Sequence, residues 1–181
     1  SPAQRIRRWA TQKEVVGSSV GLRPWCAGDW SSYRRIMAEP SIRSAHDYGT
    51  PSWWTLRQWF RGIVEATNSQ VILVWHFALE NLEGDHHEVC GHVDVWLTDP
   101  TDGVVEVAYG ILPHARRRGL MNEALRLVVA ELRGRPDIQH VDAHVYTQNM
   151  ASISLLSGLG FKRFERVGGG AGQCRYRFTD A

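Results

Sequence analysis

The stretch at residues 104–122, VVEVAYGILPHARRRGLMN, decides how the rest of the chain is interpreted. Its β-branched and aromatic residues predict a strand from 104 to 112, which Pro113 ends, and a helix is predicted to begin at Gly119. Three consecutive arginines fill the loop between the strand and the helix. Because backbone amides and the positive end of a helix dipole favour anions, this arrangement predicts a site for a phosphorylated ligand. A basic loop that simply faces solvent is the alternative.

The whole chain has the composition of one globular domain. It has 181 residues, of which 43% are hydrophobic and 22% are charged, enough for a sizeable core. The net charge of +2 is too small to indicate nucleic-acid binding, and no apolar run approaches the ~20 residues of a membrane span. The first residues lack the apolar core of a signal peptide, and Cys26, Cys90 and Cys174 suggest neither a disulfide framework nor a metal site. We therefore expect a cytoplasmic protein with no metal, nucleic-acid or membrane partner.

The order of elements predicts a single-domain α/β protein with a mixed sheet flanked by helices. Residues 1–19 are expected to form an N-terminal extension and residues 20–181 the domain. Strands are predicted at 20–25, 70–80, 88–98, 104–112, 138–147, 161–167 and 174–179, and helices at 29–39, from 52, at 119–133 and at 149–160. Pro40 is expected to end the first helix. The Gly-rich loop at 168–172 has no helix after it, so a hairpin connection is expected rather than a phosphate site.

Two motifs in this chain resemble those of the GNAT acetyltransferases. PHARRRGLM at residues 113–121 resembles the acetyl-CoA signature Arg/Gln-x-x-Gly-x-Gly/Ala, with Arg116 and Gly119 at its fixed positions and Met121 as a departure. GLMNEA at 119–124 and NMAS at 149–152 are similar to motifs of the RimJ/RimL-like branch. The resemblance covers most of the chain. It implies a mostly antiparallel sheet in which the central strand pair is splayed.

The resemblance implies acetyl-CoA as the cofactor. The pyrophosphate is expected on the Arg-rich loop, and the pantetheine arm along the exposed backbone of the central strand, in a form of strand addition. Asn149 is implied as a further contact, and its position also suits a helix cap. The implied cofactor contacts are Ile111, Leu112, Arg116, Arg117, Arg118, Gly119, Leu120, Met121, Asn122, Asn149 and Ser152.

Acetyl transfer to an amine needs a group that accepts a proton and a group that protonates the leaving thiolate. Glu106 on the central strand matches a glutamate of the family and is the expected base. Asp94 on the preceding strand is an alternative base, or a group that attracts a cationic amine. Ser152 matches the family's serine and is the expected acid. Many members carry a tyrosine where this chain has Leu156, so Tyr146 is the alternative donor.

The expected reaction is transfer of an acetyl group to the primary amine of a small molecule, such as an antibiotic, amino sugar, polyamine or amino acid. Trp53 and Trp54, in a segment rich in aromatic residues, are expected to contact this substrate together with Asp94.

Three other activities are weighed against this reaction. The acceptor is alternatively a protein or peptide N-terminus, as in the ribosomal-protein acetyltransferases of this branch. A non-catalytic CoA-binding module would have no need of Glu106 and Ser152. Nucleic-acid binding through Arg5, Arg7, Arg8 and the arginine cluster at 116–118 would show a steep salt dependence. A homodimer is compatible with the sequence.

Overall fold

A single eight-stranded sheet organises the computed structural model, which describes residues 14–67, 74–166 and 172–179. The strand order is β1-β2-β3-β4-β5-β6-β8-β7. The strands are β1 (Val15–Val16), β2 (Val20–Pro24), β3 (Val74–Asn81), β4 (Glu88–Asp99), β5 (Val104–Ile111), β6 (His140–Tyr146), β7 (Phe161–Arg166) and β8 (Gln173–Phe178). Of the described pairs, only β5 and β6 run parallel. The predicted mixed, mostly antiparallel α/β fold is confirmed.

Five α-helices cover this sheet in the described part of the chain. They are α1 (Trp30–Ala38), α2 (Pro40–His46), α3 (Trp53–Thr67), α4 (Leu120–Arg133) and α5 (Met150–Gly158). Short 3-10 turns at Ala27–Asp29 and Pro113–Ala115 precede α1 and follow β5. Within the described residues, none of the helices has the length and apolar character needed to cross a bilayer. The three cysteines are free thiols.

Helix α2 is absent from the sequence prediction, in which Pro40 only ended the preceding helix. The structure ends α1 at Ala38 and then uses Pro40 as the first residue of α2. Proline is tolerated there because the first N–H groups of a helix have no intrahelical acceptor to lose. Glu39 is extended and its carboxylate accepts a hydrogen bond from the Ser41 amide at 3.3 Å, which caps the new helix. This correction matters because α2 carries His46 into the site.

The N-terminal part of the sheet begins earlier than the predicted first strand. Val15 and Val16 pair with Leu22 and Gly21 of β2. Arg5, Arg7 and Arg8 lie outside the described residues, as do residues 70–73 of the predicted third strand and residues 168–171 of the Gly-rich loop.

Two hydrophobic cores lie on opposite faces of the sheet. Trp75, Phe77 and Leu79 of β3 belong to the first core, whereas Ala78 between them belongs to the second, as strand alternation requires. Helix α4 buries seven residues in the first core. Burial of each of the larger side chains among them stabilises the fold by about 1.5–3 kcal/mol. Helices α1, α2 and α3 build the second core. The polar side chains His76, His92 and Asp94 of β3 and β4 therefore lie on the face covered by α1–α3.

Candidate active site

Strands β5 and β6 separate part of the way along their length. Their parallel pairing joins Val104 to His140, Val105 to Val141 and Glu106 to Asp142, and then stops although both strands continue. The structure thus confirms the predicted splayed pair. Beyond Glu106, one edge of β5 faces an opening instead of a neighbouring strand.

The backbone of β5 presents polar groups to this opening. The Leu112 amide donates to the Cys90 carbonyl at 2.8 Å, on the β4 side, so the carbonyls of Ile111 and Tyr109 point the other way. Arg116 Nε donates to the Ile111 carbonyl at 3.0 Å. His46 Nε2 lies 3.1 Å from the Tyr109 carbonyl oxygen, and because a carbonyl only accepts, this nitrogen carries the hydrogen. These two carbonyls lie where an extended ligand would run along the strand.

A groove of about 500 Å³ follows this edge to the start of α4. Most of the predicted cofactor residues line it: Ile111, Arg116, Arg117, Gly119, Leu120, Met121, Asn122, Asn149 and Ser152. Ser41, Ile42 and Ala45 of α2 form part of its wall. The groove therefore joins three elements that the sequence places far apart.

The start of α4 has the backbone geometry of an anion site. Gly119 has φ 77°, and a Cβ built on it would meet no atom within 4 Å, so a ligand can approach the backbone closely. Arg117 also has a positive φ, of 61°. The first-turn amides of α4 have no carbonyl one turn earlier to bind, which leaves donors for an anion.

Two of the predicted cofactor residues lie away from the groove. Leu112 is buried in the second core, and its amide is bound to β4 as described above. Arg118 forms an ion pair with Glu83 in the turn between β3 and β4. Arg116, in contrast, also donates to Ser41 Oγ at 2.6 Å and thereby ties α2 to the loop.

The N-terminus of α5 forms the opposite wall of the groove. Asn149 caps the helix through a 3.2 Å hydrogen bond from the Ser152 amide to its Oδ1 atom. Burial raises the pKa of the Tyr109 hydroxyl to about 12, and an interaction with the Ser152 side chain opposes that rise. Leu156 is fully buried in the first core, so it acts in packing. Asn149 and Ser152 thus meet β5 in space.

A second cavity, of about 720 Å³, continues from the groove. The two share Ala45, Tyr109, Asn149 and Ser152 in their walls. The cavity is also lined by both predicted candidate bases and by the alternative donor: Glu106, Asp94 and Tyr146. The structure brings these residues together with three histidines, His46, His76 and His144, that the sequence did not single out.

Glu106 is paired with His144. His144 Nδ1 lies 2.8 Å from Glu106 Oε1, and both side chains are mostly buried. The hydrogen bond to Glu106 is the main reason that the pKa of His144 is raised, although burial and Arg175 oppose the rise. Glu106 and His144 therefore form a hydrogen-bonded pair in the cavity wall.

Asp94 holds a buried charge between two histidines. Its Oδ1 accepts from His76 Nδ1 at 2.7 Å, and its Oδ2 from His92 Nδ1 at 2.9 Å. Burial favours the neutral acid, but His92 and the hydrogen bonds from both histidines hold the pKa of Asp94 well below its usual range. The carboxylate stays ionised near neutral pH and provides negative charge at the cavity wall.

His46 and Tyr48 also belong to this cluster. His46 is the last residue of α2, the helix absent from the sequence prediction, and Tyr48 lies two residues after it. Their rings stack at 5.2 Å, and the His46 ring lies 5.3 Å from that of His92. Burial, with a smaller contribution from His92, lowers the pKa of His46 to about 4. His46 is therefore neutral at physiological pH.

A third, mainly aromatic cavity of about 440 Å³ opens onto the Asp94 cluster. Its walls include Trp25, Tyr33, Met37 and Trp59, and it shares Tyr48, His76 and Asp94 with the second cavity. Trp53 and Trp54, the predicted substrate contacts, do not line it. They are 63% and 59% exposed and contact each other edge to face.

Some of the missed residues left a signal in the sequence. His76 and His92 interrupt otherwise apolar strands, and a polar residue in a buried run requires a partner. His144 belongs to the alternating polar set of β6. His92 lies two residues before Asp94 on β4, so strand alternation places both on one face. His76 and His144 reach Asp94 and Glu106 from neighbouring strands, and nothing local in the sequence specifies those two pairs. Among the described residues, no cluster of histidine, cysteine and acidic side chains is arranged to hold a metal ion.

A split parallel strand pair, a helix start facing the split and a cavity with buried acid–histidine pairs define an acyltransferase of the GNAT type. The family model described as an acetyltransferase (GNAT) domain matches residues 19–162, and the chain belongs to this family. The predicted family, enzyme class and cofactor, acetyl-CoA, are confirmed at that level. Curated protein sequences give no significant match.

Solved structures of this fold resemble the chain closely in shape and distantly in sequence. A GNAT-family acetyltransferase from Bacillus anthracis has a TM-score of 0.75 at 12% identity, covering 92% of this chain and 98% of its own. RimL, a ribosomal L7/L12 α-N-protein acetyltransferase, has a TM-score of 0.74 at 15% identity, covering 91% and 93%. The spermidine N-acetyltransferase of Vibrio cholerae, in complex with CoA and spermine, has a TM-score of 0.70 at 16% identity, covering 89% and 94%. These likenesses establish the fold and leave the acceptor open.

Proposed function

We propose that this protein transfers an acetyl group from acetyl-CoA to a primary amine of a small molecule. The observation that carries the proposal is the continuity of the groove beside β5 with a cavity that holds an ionised, buried Asp94. A donor at one end and a cationic acceptor at the other would meet at the residues the two spaces share.

The residues of the groove fit coenzyme A. Amides at the start of α4, the open space at Gly119 and the guanidinium of Arg116 suit a pyrophosphate. The Tyr109 and Ile111 positions on the free edge of β5 suit an amide-containing arm. When bound, acetyl-CoA supplies an activated acetyl thioester. We assign Leu112 and Arg118 no direct contact, given where they lie.

The acceptor side supports a small amine with an apolar part. Asp94 provides the charge that would attract an ammonium group, and the adjoining aromatic cavity provides apolar walls. A cavity of only about 150 Å³ admits benzene, so the 440 Å³ here admits a ring. Trp59 replaces Trp53 and Trp54 as the proposed aromatic contact.

The proton chemistry is assigned to two places, one in the second cavity and one where that cavity meets the groove. The Glu106–His144 pair is positioned to accept the proton that the amine must lose before it attacks. The Ser152 hydroxyl, beside Tyr109 in the groove wall, is the proposed proton donor to the leaving sulfur. A backbone N–H of β5 would polarise the carbonyl without a particular side chain.

The known structures agree with a broad range of acceptors. Similar folds belong to proteins described as acetylating spermidine and a ribosomal protein, and an aminoglycoside acetyltransferase in complex with coenzyme A has a TM-score of 0.68 at 20% identity. The aromatic walls of the acceptor space and the charge of Asp94 support the small amines as acceptors.

The test is a thiol-release assay with the purified protein, acetyl-CoA and three acceptor classes. These are arylalkylamines, polyamines or amino sugars, and peptides with a free N-terminus. We expect release with a small amine, and a large rise in its KM in Asp94→Asn with little change in acetyl-CoA affinity. Release with peptides alone would assign the chain to protein acetylation. Binding of acetyl-CoA without release on any class would favour a non-catalytic module.

A further inference from the structure

The Glu106–His144 pair lies at the point where β5 and β6 separate. Glu106 is the last residue of β5 that pairs with β6, and its partner there is Asp142. His144 is two residues further along β6, on the same face as Asp142. The side chains of Glu106 and His144 therefore bridge the first step of the split, inside the cavity that continues into the cofactor groove.

The short contact with Glu106 indicates which ring nitrogen of His144 holds the hydrogen. An ionised carboxylate only accepts hydrogen bonds, so His144 Nδ1, 2.8 Å from Glu106 Oε1, carries the proton. In the neutral ring, Nε2 then has a free lone pair. The His144 ring lies in the cavity wall, and an imidazole held by a carboxylate on one nitrogen has the arrangement of a general base that works through its other nitrogen.

Three charged groups set the protonation of His144 from the surrounding strands. Glu106 on β5 raises the pKa of the imidazole most, Arg175 on β8 lowers it, and Asp142 on its own strand raises it slightly. Asp142 is itself buried and bound by Arg177 at 2.7 and 2.9 Å, which limits its effect. From α5, the cavity wall adds only the neutral side chains of Asn149 and Ser152.

These observations separate the two members of the pair by role. A base is most effective when its pKa lies near the working pH, and the imidazole is the side chain whose usual titration range lies nearest to neutral pH. Asp94 is a poorer candidate because both of its oxygens already accept hydrogen bonds from histidines.

We propose that His144 is the catalytic base and Glu106 its positioning residue. The neutral Nε2 of His144 accepts a proton from the ammonium group of the acceptor, so an N–H bond breaks, the amine keeps the electron pair, and an imidazolium forms. Glu106 holds the ring through Nδ1–H and stabilises that imidazolium. This assignment rests on the proposed acetyltransferase function.

The first test is the pH dependence of kcat/KM for the amine in wild type, His144→Gln and Glu106→Gln. Glutamine at 144 can still donate to Glu106 but does not titrate. We expect kcat/KM of His144→Gln to fall by about 100-fold or more. The decrease of kcat/KM at low pH, the acidic limb, should disappear in this variant. In Glu106→Gln the limb should move to lower pH, and the plateau should fall by only about 10-fold, because the histidine remains. The control is His86→Gln, an exposed histidine in the turn after β3.

The opposite pattern would overturn the assignment. If His144→Gln keeps the limb and a rate close to wild type while Glu106→Gln loses both, the carboxylate is the base. Acetyl-CoA titration of each variant shows that the fold and groove are intact.

A second measurement needs no acceptor. NMR titration of the histidine Cε1–H signals, with His144 identified from its loss in His144→Gln, should show its midpoint falling in Glu106→Gln. An unchanged midpoint would refute the pairing. If no amine reacts in the thiol-release assay, the proposed function is overturned. The NMR titration still shows whether Glu106 and His144 are paired, because it needs no acceptor.

Discussion

His46 stays neutral over a pH range in which an imidazole ordinarily takes up a proton. Its pKa of about 4 lies below the value of about 6.5 in an unfolded chain, chiefly because the ring is buried. The unfolded state therefore takes up a proton first as the pH falls. Stability is lost from about pH 6.5 down to about pH 4, with a slope of up to about 1.4 kcal/mol per pH unit for this one proton.

His46→Gln should remove this part of the acid sensitivity. The variant is expected to be less stable at pH 7.5, where it loses the ring contact with Tyr48, and to lose less stability between pH 6.5 and 4.5 than wild type. Urea unfolding at several pH values measures both curves. His144 does not contribute to the difference between the two curves in this pH range, because the stability that comes from its raised pKa is fully present below pH 6.5. Parallel curves would show that His46 is charged in the folded protein.

The residue scale also shows where prediction from sequence stops. Glu106, Asn149 and Ser152 can be identified because they lie on or beside recognisable motifs, and Asp94 because it is a carboxylate on the strand before Glu106; all four line the site. Their partners were not identified, since His144 reaches Glu106 across two strands whose register no local pattern specifies. A sequence motif identifies Glu106, whereas its partner His144 is found only when the order and register of the strands are known.

At the scale of elements, the long periodic segments were predictable and the short helix was not. The strand β5 and the helix α4 follow from β-branched runs and helical spacing. Helix α2 has seven residues and begins with a proline, so its pattern is too short to distinguish it from a loop. Its position comes from long-range contacts, among them the burial of Ile42 in the second core and the hydrogen bond from Arg116 to Ser41.

Helix α3 provides a test of which tryptophan contacts the acceptor. Trp59 lies 6.0 Å from Tyr48 in the wall of the aromatic cavity, whereas Trp53 is exposed. We expect Trp59→Ala to raise the KM for a ring-bearing amine by about 10-fold, since part of its apolar wall is lost. Trp53→Ala is the matched comparison and should leave that KM unchanged. Steady-state kinetics at saturating acetyl-CoA decide between them, and the reverse result would restore the residue that the sequence favoured.

At the scale of the whole molecule, one split in the sheet organises both substrate spaces. Pairing of β5 with β6 holds the strands together as far as Glu106, and the first core under α4 and α5 holds them on one face. The second core, built by α1, α2 and α3, stands on the other face and encloses the acceptor side. The family motif predicted the split, while the division of the helices between two faces required the structure.

We propose that the groove at the split and the start of α4 holds the cofactor. Gly119→Glu puts a negative charge and a bulky side chain where the groove is open and where a pyrophosphate is expected. The control is Gly49→Glu, because Gly49 also has a positive φ, of 66°, and open space around its Cβ position, so both variants carry a similar backbone cost of about 1 kcal/mol.

Calorimetric titration of acetyl-CoA into wild type, Gly119→Glu and Gly49→Glu is the most direct measurement. We expect binding to wild type and to Gly49→Glu with similar affinity, and an affinity about 100-fold or more lower in Gly119→Glu because of repulsion and blocked approach. Equal affinity in all three proteins, or no binding to wild type, would contradict the assignment of this groove to coenzyme A.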